Sequence, residues 1–99
     1  MIIRGTTPTI TYTFSVVNPA DITVACLTIK KGDAVLVEKT LEQAEVGQKS
    51  LSWTLTQEET LAVKGSAEIM LNWKTIGGTR GASMPSGEQF IPNHKSEVI

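Results

Sequence analysis

Residues 9–17 have the sequence TITYTFSVV, the most regular pattern in the chain. Every second residue from Ile10 to Val16 is apolar, and threonine or serine fills the positions between them. A two-residue period is that of a strand with one buried face. The stretch therefore predicts a β-strand over residues 9–17 whose apolar side faces a core.

Further strands follow on the C-terminal side, separated by turn signals. Residues 18–21 (NPAD) favour a turn, because proline fixes φ and the Asn and Asp side chains bond to nearby backbone. Residues 22–30 include apolar residues at both odd and even positions, as in a central strand or one with a bulge. The pair Gly32-Asp33 predicts a hairpin into a strand over residues 34–40. Residues 42–47 are polar and predict a loop.

The middle of the chain combines a strand with a short helix. Residues 50–56 alternate again, and Trp53 is the strongest candidate for the core. Thr56 stands three residues before Glu59, the spacing of a capping box in which each side chain bonds the other residue's backbone N–H. One or two helical turns are therefore expected, ending at about Val63.

The last third predicts a long hairpin. Lys64-Gly65 ends the helix, and a strand that runs to Ile76 follows, with Ala67, Ile69, Leu71 and Trp73 on one parity. Residues 77–81 (GGTRG) predict a flexible link, and a final strand near residues 87–91 would pair back.

Together these elements predict an all-β fold. The expected architecture is an antiparallel, immunoglobulin-like β-sandwich of about six to seven strands, with one short helix near residues 57–63. Ninety-nine residues are one domain of ordinary size, so residues 1–99 are expected to form a single sandwich domain. An up-and-down barrel is the structural alternative.

Composition and charge bear on partners and location. The net charge is −1 and the nine basic residues are scattered apart from Lys30-Lys31, so no nucleic acid partner is expected. The apolar runs are too short to span a membrane, and the N-terminus lacks the apolar core of a secretory signal. The chain is expected to be cytoplasmic when synthesised.

No catalytic residue is expected. His94 is the only histidine and lies near the C-terminus, so a serine or cysteine nucleophile would have no base. Cys26 is the only cysteine and stands mid-strand between Ala25 and Leu27, which favours core packing over a reactive thiol. The sequence therefore predicts a protein that is not an enzyme.

Cofactor and metal sites are not expected either. The glycines of residues 77–81 lack the following helix of a phosphate loop. Four carboxylates lack the spacing of a calcium loop and predict surface or capping positions. Four aromatic residues lie on the apolar parity of their strands, which favours core over a binding platform. These residues are Glu42, Glu45, Glu58 and Glu59 for the carboxylates, and Tyr12, Phe14, Trp53 and Trp73 for the aromatics.

Three blocks resemble a family of small proteins encoded among the phage and prophage structural genes of Gram-positive bacteria. The blocks are IRGTTPT (residues 3–9), LTQEETL (residues 55–61) and SEVI (residues 96–99). Their order and spacing, with a strand like EIMLNWK (residues 68–74) after the second block, agree with that family. The resemblance implies a tail- or virion-associated component without catalytic residues.

The resemblance and the missing chemistry together lead to a functional hypothesis. The chain is expected to dock onto other phage structural proteins, in the tail, baseplate or head, and to reach the virion if assembled. A homo-oligomer is compatible with this role. An immunoglobulin-like adhesin or carbohydrate-binding module is the alternative, and it requires an exposed tryptophan. The expected contact residues lie on the N-terminal arm and the last loop, where exposure is anticipated. They are Arg4, Thr6, Thr7, Arg80 and Met84.

Overall fold

A computed structural model describes residues 1–95 and 99, and within them the chain forms nine strands and one α-helix. The strands are β1 (Ile2–Ile3), β2 (Thr9–Thr13), β3 (Ile22–Lys31), β4 (Ala34–Thr40), β5 (Glu45–Val46), β6 (Ser50–Thr54), β7 (Gly65–Thr75), β8 (Arg80–Ala82) and β9 (Ser86–Ile91). The helix α1 covers Gln57–Ala62. Residues 96–98, which belong to the SEVI block, lie outside the described residues.

The strands form two sheets. The larger has the order β1-β9-β7-β3-β4, with β8 and β9 pairing successive parts of the same edge of β7. The smaller has the order β2-β6-β5. In variable-type immunoglobulin sandwiches one sheet has the strand order G-F-C-C′ and the other contains B-E-D. Here β9-β7-β3-β4 corresponds to the first order and β2-β6-β5 to the second. The predicted all-β sandwich with one short helix is confirmed.

Apolar side chains of both sheets meet in one core. Trp53 in β6 has no exposed surface, and its Nε1 donates a hydrogen bond to the Thr40 carbonyl at 2.9 Å. A buried indole N–H needs such a partner, so Trp53 also fixes the end of β4. The predicted core position of Trp53 is confirmed. The buried apolar residues are Ile2, Phe14, Ile22, Ala25, Leu27, Ile29, Val37, Leu51, Trp53, Leu55, Val63, Ala67, Ile69, Leu71 and Phe90.

Two locally encoded features form as predicted. Lys31 pairs with Ala34 across the two-residue loop, where Gly32 adopts a positive φ of 59°. At the start of α1 the Thr56 hydroxyl accepts from the Glu59 N–H at 3.1 Å, and the Glu59 carboxylate accepts from the Thr56 N–H at 2.8 Å. The hairpin and the capping box are confirmed.

The first long strand is shorter than predicted. β2 ends at Thr13, and Val16 is 93% exposed although it continues the alternation. Its neighbour β6 begins at Ser50, so the backbone has no ladder partner beyond the bond from the Phe14 N–H to the Lys49 carbonyl. The chain then enters a 3₁₀ turn at Pro19–Asp21.

Residues 77–81 do not form the predicted flexible link. The Gly78 N–H donates to the Thr75 carbonyl and the Thr75 N–H to the Thr79 carbonyl, both at 2.9 Å, which closes a three-residue hairpin loop. Gly78 has a φ of 88°, the left-handed position such a loop requires. β8 then pairs directly with β7.

Strand counting also missed short elements at both ends of the sheets. The pattern indicated about six to seven strands, whereas the described residues form nine. β1 pairs in parallel with β9, and the predicted loop at residues 42–47 contains β5. A 3₁₀ turn over Leu41–Gln43 precedes β5. Two- and three-residue strands carry no period of their own, so their sequence does not reveal them.

The predicted core position of Cys26 is wrong. Ala25 and Leu27 take the core positions of β3, and Cys26 is half-buried on the outer face of the sheet. Its thiol donates to a Glu38 carboxylate oxygen at 3.2 Å. Burial and the Glu38 carboxylate together raise the pKa of the Cys26 thiol, so the reactive thiolate is disfavoured.

Candidate protein-binding surface

An aromatic pair supports one end of the sandwich. Phe14 follows β2 and packs edge-on against Trp73 of β7, with ring centroids 5.2 Å apart and planes at 82°. Gly81 of β8 lies against the same indole, and a Cβ there would stand 2.4 Å from Trp73 Cζ2. The glycine therefore allows Trp73 to pack against the core beside Phe14.

Two connections meet beyond the aromatic pair, and we call them the loop end: residues 15–21 between β2 and β3, and residues 76–79 between β7 and β8. The Ile76 N–H donates to the Asp21 carbonyl at 2.7 Å and ties the second connection to the first. The Asn18 side chain accepts from the Ala20 N–H at 3.0 Å and caps the 3₁₀ turn below. Backbone bonds thus hold both connections.

The loop end exposes apolar side chains. Val16 is 93% exposed and Ile76 79% exposed, although both belong to residue types that are usually buried. A depression of about 420 Å³ lies between the two connections, and a second of about 250 Å³ lies between residues 14–18 and residues 48–49. Exposed apolar residues beside concave surface are typical of protein contact sites.

Ile76 is held in a fixed position. It stands in the three-residue loop closed by the Gly78 and Thr75 bonds, so its backbone loses little freedom when a partner binds. Val17 next to Val16 is half-buried against the core, which anchors the first connection. Pre-ordered loops on a rigid sandwich are the arrangement that antibody domains use for binding.

The structure places the five predicted contact residues in different surroundings. Thr6 and Thr7 are exposed, and the Thr6 hydroxyl donates to the Ile3 carbonyl at 2.6 Å. Arg80 is exposed on β8 directly after the loop end, and Met84 is exposed between β8 and β9. Arg4 is half-buried, so the exposure expected of it is wrong.

Arg4 joins the N-terminal segment to α1. Its Nε donates to the Val63 carbonyl at 2.9 Å and its Nη2 to the Leu61 carbonyl at 2.5 Å. These carbonyls lie at the end of the helix, where they have no partner within the helix and attract a cation. Arg4 is therefore occupied within its own fold.

The five residues do not form one surface. Arg4 lies beside Ile91 at the end of the sheet where Gly65 pairs with Phe90, whereas Arg80 pairs with Lys74 at the far end of β7. The stretch of β7 from Gly65 to Lys74 is about 30 Å long at 3.3 Å per residue. Of the five, Arg80 adjoins the loop end.

Sequence reasoning missed Val16 and Ile76 as candidates for contact. A signal for both was present, because Val16 and Val17 precede the Asn18-Pro19 turn and Ile76 precedes Gly77-Gly78. Apolar residues directly beside turn residues leave the strand ladder, so their parity no longer predicts burial.

A buried ion pair was also missed. Lys39 occupies a core-facing position of β4, and its Nζ lies 2.8 Å from a Glu59 carboxylate oxygen and 3.2 Å from the Thr54 carbonyl. Burial alone would raise the pKa of Glu59, but hydrogen bonds from Lys39 and Thr56 outweigh burial and hold that pKa below its ordinary value. The pair connects β4 to the start of α1.

The remaining candidates have these positions. His94 is exposed, Trp53 is fully buried and Trp73 is half-buried. In the residues that the structure describes, no three His, Cys, Asp or Glu side chains lie close enough together to hold a metal ion. None of the helices in that part of the chain has the length and apolarity needed to cross a bilayer.

Comparison with protein-family models, with curated proteins and with solved structures finds no match to this chain.

Proposed function

We propose that this chain is a non-enzymatic structural or accessory component of a phage particle, which binds other virion proteins through the loop end. The observation that carries the docking role is the exposure of Val16 and Ile76 on adjacent, hydrogen-bonded connections. The resemblance of residues 3–9, 55–61 and 96–99 to phage structural-cluster proteins supports the choice of partner.

The size of the loop end fits a protein partner better than a small ligand. Its two depressions are open to solvent, and Val16 lines both of them. A small molecule would remain largely in water there, whereas an apolar side chain of a partner could cover Val16 and Ile76 together. Arg80 beside this surface supplies a cation at its rim.

The direct test is mass spectrometry of density-purified phage particles from an induced source strain. Peptides of this chain at a fixed stoichiometry to known virion proteins are the expected result. If the chain is abundant in the lysate and absent from the particles, the virion role is wrong.

The contact surface is tested by substitution in the same particles. Ile76→Asp is expected to reduce the incorporated amount at least about tenfold, because a partner would have to desolvate a carboxylate. Val35→Asp is the matched control, since Val35 is also an exposed apolar residue but lies on β4 near the opposite end of the larger sheet. Equal incorporation of both variants would remove the loop end from the proposal.

A second substitution tests the contacts predicted from sequence. Replacing Arg80 and Met84 together is expected to weaken assembly, because both are exposed on the segment that follows the loop end. Unchanged particle assembly would show that their placement at a contact is wrong.

The alternative, an adhesin or carbohydrate-binding module, depends on an exposed aromatic platform. Trp53 is fully buried, and Trp73 is half-buried between Phe14 and Gly81. The alternative therefore lacks the feature it requires, and the docking role is the better supported of the two.

A further inference from the structure

The outer edge of β2 is free. β2 pairs with β6 on one side, and no other strand in the described part of the chain pairs with it. An open edge presents unpaired backbone groups to which another strand can bond. The other long open edge, that of β4, has a register shift opposite Ile29 and Lys30 and contacts with α1 beside it.

Hydrogen bonds at the two ends of β2 show which of its backbone N–H and C=O groups face the free edge. The Leu55 N–H donates to the Pro8 carbonyl at 2.9 Å, and the Phe14 N–H donates to the Lys49 carbonyl at 2.7 Å. In an antiparallel pair, bonded residues alternate with residues whose groups point away. The even-numbered residues therefore bond to the neighbouring strand, and the odd-numbered residues direct their N–H and C=O groups to the free edge.

The outward groups belong to three threonines. Thr9, Thr11 and Thr13 each offer one donor and one acceptor along the free edge. Their side chains lie on the outer face, where the Thr9 hydroxyl bonds that of Thr54 at 2.9 Å and the Thr11 hydroxyl bonds that of Ser52 at 3.0 Å. These contacts order the Thr9 and Thr11 side chains before any partner arrives.

β2 lacks the usual protection against pairing. Edge strands of stable monomers are commonly blunted by lysine, proline or a bulge. The five residues of β2 include no charge and no proline, and their register with β6 has no shift. β4, by contrast, contains Glu38 and Lys39.

The sequence of β2 is complementary to itself. When two copies of β2 (TITYT) are aligned antiparallel with their Thr11 residues opposite each other, Thr9 of one copy faces Thr13 of the other, and Ile10 faces Tyr12. Threonine pairs and pairs of an aromatic with a β-branched residue are among the favourable cross-strand combinations. In this register the outward groups of one copy meet the outward groups of the other, as hydrogen bonding requires.

We propose that two copies of this chain form a two-fold dimer by antiparallel pairing of their β2 strands, with the axis at Thr11. Six backbone hydrogen bonds join the strands, two from each Thr9–Thr13 pair and two across the axis. The half-buried side chains of Ile10 and Tyr12 cover each other on the inner face. The two small sheets become one continuous six-stranded sheet, an isologous contact that closes on itself. This dimer does not depend on the proposed virion role.

The primary test is the solution mass of the full chain by light scattering, at concentrations on the order of 10 μM to 1 mM. The expected mass rises with concentration from the 10.7 kDa of one chain toward twice that value. A mass that stays at one chain over this range overturns the proposal.

A charge exchange at residue 11 tests the register, because the axis brings that residue against its own copy. Thr11→Lys and Thr11→Glu should each raise the dissociation constant about tenfold through like-charge repulsion, and mixing the two variants should restore dimers. Thr54→Lys is the matched control: it is exposed on the same face and also loses one hydroxyl contact, but it lies on β6 away from the axis. Mixed variants that stay monomeric, or equal weakening by Thr54→Lys, would overturn the register.

Hydrogen exchange of the unmodified chain gives a test without any variant. The amides of Thr9, Thr11 and Thr13 should exchange more slowly as concentration rises, because they become bonded in the dimer. Amides along the open edge of β4 should exchange at the same rate throughout. If protection rises with concentration at β4 and not at β2, the copies pair through β4 and the proposal is refuted.

Discussion

At the residue scale, Lys39 shows how a charge can take a core position. Its side chain is 7% exposed, and the Glu59 carboxylate that accepts from it also caps α1. Removing one partner of a buried pair leaves the other charge desolvated, whereas removing both is often close to neutral. The pair therefore links β4 to the helix only while both charges are present.

Substitutions at this pair should be strongly non-additive. Glu59→Gln is expected to reduce the free energy of unfolding by about 2 kcal/mol, because the Lys39 ammonium loses its carboxylate. The double variant Lys39→Met with Glu59→Gln should lie within about 1 kcal/mol of the parent, since methionine fills the site and glutamine keeps the cap. Urea unfolding of the single and double variants measures the coupling, and additive losses would argue against an energetic pair.

The same carboxylate predicts a pH dependence. Its pKa is lowered in the folded chain below the ordinary 4.5, so the stability it contributes is complete above that value. This contribution is lost as the pH falls through the lowered pKa. The difference in unfolding free energy between the parent and Glu59→Gln should be constant from pH 6 to 8 and shrink below about pH 4.5. A difference that grows in acid would contradict the direction of the shift.

Trp53 is the residue whose loss should be most damaging. Trp53→Ala is expected to reduce the free energy of unfolding by about 3–5 kcal/mol, because it empties a fully buried site and leaves the Thr40 carbonyl without its donor. Val16→Ala, at a 93% exposed position, should change it by less than about 0.5 kcal/mol. A loss below about 1 kcal/mol for Trp53→Ala would mean that β6 faces the other way.

At the element scale, β8 depends on a residue without a side chain. Gly81→Ala would place a Cβ against the Trp73 indole and is expected to cost about 1–3 kcal/mol, since the ring must move from under the loop end. Gly87→Ala on β9 is the matched control, because a Cβ there meets open space. Thermal unfolding compares the two variants, and increased quenching of tryptophan fluorescence in Gly81→Ala would locate the change at Trp73. Equal stability of both variants would rule out this packing.

Elements encoded by neighbouring residues were predictable from sequence, and those that depend on distant partners were not. Thr56 and Glu59 specify the start of α1 within four residues, and Gly32-Asp33 specifies the β3–β4 hairpin. β1 exists because β9 lies beside it, and its two residues carry no period. The misplacement of Cys26 also results from a distant partner. The pairing of β3 with β7 shifts in register between Ile22 and Val24, so apolar residues lie on both faces of β3 and their pattern does not show which face is buried.

The candidate site was predictable only in part, for a related reason. Arg80 was placed correctly on an exposed segment, but Arg4 has a partner 57 residues away in the chain, which its own neighbours do not indicate. Val16 and Ile76 become one surface because β3 pairs with β7, and the bond from the Ile76 N–H to the Asp21 carbonyl continues that pairing into the two connections. Proximity of that kind belongs to the tertiary fold, and the sequence shows only the turn residues beside each connection.

At the scale of the whole molecule, the two proposed surfaces occupy different parts of the sandwich. The loop end closes one end of it, and the free edge of β2 runs along its side. Antiparallel pairing about Thr11 would direct the two loop ends of a dimer in opposite directions. A dimer of this form presents two binding surfaces, and it gains avidity without any new contact where two partners in one particle lie on its opposite sides.

The independence of these surfaces is the last prediction. Ile76→Asp should leave the concentration dependence of the mass unchanged within about twofold, because Ile76 is remote from the β2 ladder. Thr11→Lys should fold with an intact loop end, yet incorporate into particles less than the parent, because a monomer has lost the second attachment. Light scattering and particle incorporation, measured on both variants, separate the two effects. Loss of dimers in Ile76→Asp would show that the loop end itself is the contact between copies.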